Sequence, residues 1–133
     1  MKNIIYLFST FLLTSIFLTA CGEYNSEQQQ LWDEVMVVHD EVMPKMGELH
    51  KLEKQLKKQT STEAQQAAIT KIEAAQESMM DWMRNFKPMR KVAKMEHQVA
   101  MDYLKEEQKK VAEVKRLMLE GIEVGQGLLS EKE

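Results

Sequence analysis

The side chains best suited to chemistry fall on one line. Trp32, Met36, His39, Met43, Met46 and His50 follow one another at alternating steps of four and three, the spacing that stacks residues along one side of a helix. Thioether sulfur and imidazole nitrogen together suit Cu(I), a soft ion. Met79, Met80 and Met83 cluster later in the chain, and Met95, His97 and Met101 later still. An exported helical protein with Met36, His39, Met43, Met46 and His50 so aligned is equipped to buffer or sense copper. The competing reading is structural. Methionine fills irregular gaps in helical cores, and this line coincides with an apolar register, which favours packing. Asp40 and Glu41 beside His39 raise a hard-metal site, but a helical di-iron centre uses Glu-x-x-His on two helices. None of the three histidines has a glutamate three residues before it. His50-Lys51-Leu52-Glu53 is an isolated spacing that reads as surface. No nucleophile–base–orienter set, phosphate-cradling glycine loop or catalytic carboxylate pair is legible. The expectation is therefore a non-enzymatic protein without a cofactor.

Cys21 is the only cysteine. Ahead of it lie a short basic start, Met1-Lys2-Asn3, and an apolar run from Ile4 to Leu18 interrupted only by hydroxyl residues. The run is too short for a confident spanning helix and has the layout of a signal peptide. Thr19 and Ala20 are the small residues a signal peptidase needs beside its cut. Leu18-Thr19-Ala20-Cys21 resembles the lipobox of bacterial lipoproteins. The resemblance implies cleavage before Cys21, a diacylglycerol thioether on its sulfur and acylation of the new amine. More than one acyl chain anchors stably rather than marginally. An ordinary secretory signal with a chance cysteine is the alternative; position, preceding residues and apolar run together argue against it. Lipidation consumes the one thiol, which excludes disulfides, a zinc–thiolate site and a cysteine nucleophile. Gly22 is not the aspartate that resembles an inner-membrane retention signal, so the expected location is the cell envelope, at the outer membrane, with the domain outside the cytoplasm.

Removing residues 1–20 takes Lys2 from the 18 basic residues and nothing from the 21 acidic ones, leaving a net charge of −4. That mild acidity gives no push towards nucleic acid, and export puts nucleic acid out of reach. The expected partners are the membrane, through Cys21, and an envelope protein docked on helix faces. Lys87, Arg90, Lys91 and Lys94 form one basic cluster. Such a cluster meets lipid phosphates or an acidic partner, or is simply a solvated face. Its place at a helix N-terminus is electrostatically unfavourable.

The elements that must carry these residues are helices. Gly and Pro are scarce after Cys21, Gln, Glu, Lys, Met and Ala abound, and no stretch alternates as a strand. Residues 21–25 read as a lipidated tether, 26–128 as one helical domain and 129–133 as a frayed end. Ser26, with Gln29 three residues on, predicts a helix start, and the first helix runs to about Lys58. Leu31, Val35, Val38, Val42, Leu49, Leu52 and Leu56 form its main apolar stripe. Pro44 removes a backbone donor and crowds the carbonyl of Asp40; because the register continues on both sides, a kink is expected rather than a break. Thr60 and Glu63 read as a capping box for a second helix to about Asn85, with Ala68, Ile69, Ile72, Ala75, Met79, Met83 and Phe86 on its face and Trp82 at the edge. Pro88 suits the first position of a third helix, continuous to about Gly125 and about 57 Å long at 1.5 Å per residue. Gly121, Gly125 and Gly127 weaken its end, and Gly121-x-x-x-Gly125 by itself is slight support for a close helix contact. Short connections make sequential helices antiparallel. The expected fold is all-α, an antiparallel up-down-up three-helix bundle with its first helix kinked at Pro44.

The segment from Trp32 to Met46, with Met79-Met80-Asp81-Trp82-Met83, is similar to small bacterial lipoproteins that carry the label "viral A-type inclusion protein". The resemblance implies helical, coiled-coil-like character over most of the mature chain and carries no activity.

Overall fold

The computed structural model describes residues 25–130, and among them every regular element is a helix. The expected signal peptide, Cys21, most of the expected tether and the last three residues lie outside the described residues. The helices are α1 (Ser26–Val42), α2 (Lys45–Lys57), α3 (Glu63–Asn85), the four-residue α4 (Met89–Val92) and α5 (His97–Ser130). None of them is long and apolar enough to cross a membrane.

At α1, α3 and α5 a side chain near the start takes an otherwise unpaired backbone N–H, whereas α2 and α4 begin at Pro44 and Pro88 without a side-chain cap. At α1 this is Asn25, whose Oδ1 accepts from the Glu27 amide at 3.0 Å, rather than the expected Ser26. Asn ranks with the strongest N-cap residues, so the helix begins around it. At α3 the capping box is Thr62 with Gln65, not Thr60 with Glu63. The Gln65 amide donates to Thr62 Oγ1 at 3.2 Å and the Thr62 amide to Gln65 Oε1 at 3.1 Å. Gln65 is buried and also donates to Gln59 across the turn at 2.7 Å. A neutral amide tolerates that burial better than a carboxylate.

The expected third helix is interrupted. Pro88 stands before α4 in an extended conformation (ψ 150°), and the chain leaves helical bonding at Ala93–Glu96. Glu96 then opens α5, its two carboxylate oxygens accepting from the amides of Gln98 and Val99, each at 3.1 Å. Those N–H groups hold its carboxyl below the ordinary range. The interruption coincides with Lys94-Met95-Glu96-His97-Gln98-Val99, a stretch with no fully buried residue between Val92 and Ala100. At the other end α5 does not fray at its glycines but continues to Ser130.

The first expected helix is present as two segments. α1 and α2 are joined through Met43 (φ −55°, ψ −40°) and Pro44 (φ −60°, ψ −25°), both in the right-handed helical region. The Met46 amide donates to Met43 oxygen at 3.2 Å across the junction.

α5 packs against α1, α2 and α3, and α2 against α3. Gln108, Lys115 and Gln126 of α5 donate in turn to Glu34, Glu41 and Glu48, so α5 runs in the same direction as α1 and α2. Lys71 meets Glu120, and Phe86 meets Tyr103, so α3 runs the opposite way. The main core includes Val35, Val42, Leu49, Leu52, Leu56, Ile72, Met79, Val111 and Met118. Gly121 and Gly125 are buried in α5. A Cβ at Gly121 would lie 3.1 Å from Leu49 Cδ2, and one at Gly125 3.1 Å from Ile72 Cδ1 and 3.3 Å from Leu52 Cβ. The two glycines are therefore a notch that admits α2 and α3.

Candidate functional site

The structure spreads the Met/His line rather than converging it. Met43 and Met46 pack against the main core, and Met36 is half-buried. The His39 ring lies 5.6 Å from the Trp82 ring, and its Nδ1 is 2.8 Å from Asp40 Oδ1. His50 is exposed, with Glu53 at 3.9 Å. Eleven residues separate the two histidines, about 16 Å along a helix, so they cannot share one ion. Met79 is fully buried, Met83 packs on the main core, and Met95 on a second cluster around Val92. Among the described residues, no group of three or more His, Cys, Asp or Glu is placed to hold a metal. With Met43 and Met46 engaged in core packing, Cu(I) calorimetry should give the same weak heats for the protein and its His39→Ala/Met43→Leu variant. A saturable isotherm that the variant loses would favour the copper reading.

What the structure assembles instead is an aromatic cluster where α1, α3 and α5 meet the Phe86–Pro88 turn. Trp82 and Phe86 stack with centroids 4.7 Å apart, Trp32 lies 5.9 Å and Tyr103 6.4 Å from Phe86. Each such ring pair adds about 0.5–1.5 kcal/mol beyond the area it buries. The polar edges serve the turn: Trp32 Nε1 donates to Lys87 oxygen at 3.4 Å, and the Lys87 amide donates to Tyr103 Oη at 2.7 Å. Lys87 Nζ sits 4.2 Å over the Tyr103 ring, a cation–π contact. Burial pushes the Tyr103 phenol up, against the Lys87 N–H that favours its ionised form. Sequence spacing reveals only the Trp82–Phe86 pair, four residues apart on one helix face; Trp32 and Tyr103 come from distant positions, and nothing in their spacing joins them to it.

Beside the cluster, α4 presses Val92 inward against Ala100 and Leu104, with Met89, Leu31 and Trp32 packed around them. Its basic residues Arg90 and Lys91, and Lys94 just after, are exposed. The chain's first described residue comes to the same place: Asn25 Nδ2 lies 3.2 Å from His97 Nδ1, and Glu27 Oε2 3.7 Å from His97 Nε2. His97, which the sequence groups with Met95 and Met101, is thus engaged with the start of α1.

An open cleft of about 410 Å³ runs between α3 and α5, bordered by Asp81, Trp82, Glu107 and Lys110. Glu107 is buried and accepts from Lys110 at 2.8 Å, which holds the Lys110 ammonium above its ordinary pKa. Trp82 Nε1 is buried without a hydrogen-bond partner among the described residues. It has no solvent-facing surface, so the cleft does not offer it to a ligand. No family model matches the chain, and no curated protein and no solved structure matches it.

Proposed function

We propose that the chain is a lipid-anchored helical bundle of the cell envelope, a non-enzymatic binding or structural module. The observation that carries this reading is Leu18-Thr19-Ala20-Cys21, placed directly after an apolar export segment. Two structural features support it. The chain enters the described domain at one end, beside His97, which suits a domain hung from its N-terminus. The domain also buries its apolar faces within itself, leaving, among the described residues, Val37, Met80, Val99 and Leu119 as the large hydrophobics that are well exposed; scattered side chains of this kind are ordinary surface. Such a domain offers helix faces to a protein partner.

In this reading the architecture is an up-down-up three-helix bundle. α1 and α2 act as one long helix kinked at Pro44, α3 returns, and α5 with its short α4 prelude is the third. The helical dihedrals at Met43 and Pro44 favour a kink over a hinge, and the Glu34, Glu41 and Glu48 contacts with α5 continue across it.

Cys21→Ala tests the anchor. Wild-type protein should incorporate labelled palmitate and partition into detergent, and the variant should lose both. A variant that keeps label and detergent partitioning removes the basis of the reading.

A further inference from the structure

We propose that the α4 end of the bundle is a contact surface for anionic lipid headgroups, with Arg90, Lys91 and Lys94 facing the phosphates. The position of the membrane rests on the lipid-anchor reading above; the surface itself rests on geometry and charge.

Chain connectivity sets the distance. Asn25 lies at this end, tied to His97, and stands four residues after Cys21. Four residues span at most about 14 Å when fully extended, so an anchor at Cys21 keeps this end close to the bilayer. The opposite end, where α2 stops at Lys57, is about 48 Å away along the helix axis. Surface-charge attraction decays within a Debye length of about 10 Å, and the α4 end is the one that the tether holds within reach of a charged leaflet.

The orientation of α4 follows from its packing. Val92 and Met89 face the cluster around Leu104, which turns Arg90, Lys91 and Lys94 outward, all three exposed. None of these three has an ion-pair partner among the described residues, a property they share with Lys51, Lys54 and Lys58 towards the far end, so place rather than pairing distinguishes them. The nearby acidic groups are already engaged. Glu96 holds the amides of Gln98 and Val99, Glu27 faces His97, and Asp102 accepts from Gln98. Val99, in the first turn of α5, is 55% exposed, an apolar side chain at the level where headgroups would lie.

The test uses the protein isolated from its own envelope and reconstituted on vesicles of phosphatidylcholine, alone or mixed with phosphatidylglycerol. Lysine acetylation is read residue by residue. Lys51, Lys54 and Lys58 are internal controls: they are exposed, lack ion pairs among the described residues and lie towards the far end. Lys91 and Lys94 should react about fivefold more slowly on the anionic vesicles, the controls should not change, and high salt should abolish the difference. The Arg90→Glu/Lys91→Glu variant should lose the protection of Lys94. Flotation separates this proposal from the anchor. Flotation on neutral vesicles with both lysine sets labelled alike on either lipid keeps the anchor and overturns the headgroup contact. Flotation on anionic vesicles alone, with Lys94 protected, keeps the contact and overturns the anchor. Flotation on neither overturns both.

Discussion

Leu49→Ala should lower the unfolding free energy by about 4 kcal/mol, within the range for truncating a buried leucine. Leu49 is fully buried at the meeting of α2, α3 and α5. Its Cδ2 fills the space beside Gly121, 3.1 Å from where a Cβ would be. Glycine has no side chain that could swing into the vacated volume, so the cavity should persist rather than collapse. A domain of this size has only about 5–15 kcal/mol to lose, and the urea midpoint should drop accordingly with an unchanged slope. A loss below about 1 kcal/mol would mean that α2 and α5 do not pack as described.

Gly125→Leu acts in the opposite way, by overfilling, and should cost about 3 kcal/mol, at the upper end for inserting bulk into a packed core. Even a bare Cβ would meet Ile72 Cδ1 at 3.1 Å and Leu52 Cβ and Cδ1 at 3.3 Å. A leucine has no room unless α5 moves off α2 and α3. Gly127 is the matched control, two residues on in the same helix with nothing within 4 Å of its added Cβ. Gly127→Leu should be neutral or stabilising, by up to about 1 kcal/mol of helix propensity. Equal urea midpoints for the two leucine variants would contradict the notch.

The same pair of glycines shows where sequence reasoning stopped. Their spacing was legible, but glycine in a helix signals weakness on propensity alone, and only the neighbouring Leu49, Leu52 and Ile72 turn it into a close contact. The periodic positions were readable because repeated burial enforces them: Val35, Val42, Leu49, Leu52 and Leu56 are all core. Caps were harder. Thr60-x-x-Glu63 and Thr62-x-x-Gln65 fit the same pattern, and the choice fell to Gln65 because its amide also reaches Gln59. The break at Ala93–Glu96 was hidden since Val92 and Ala100 both stay apolar and buried. The basic cluster was legible as charge, but its nearness to Asn25 depends on how the chain returns through α3 and has no local signature.

Anchoring at Cys21 is the central claim, and the intact mass of the protein extracted from its own membranes tests it most directly. The account predicts a single chain that begins at Cys21, heavier than residues 21–133 by a diacylglycerol and an additional acyl group, with no free thiol. A chain that retains residues 1–20, or one cut elsewhere with Cys21 still titrating as a thiol, would contradict it.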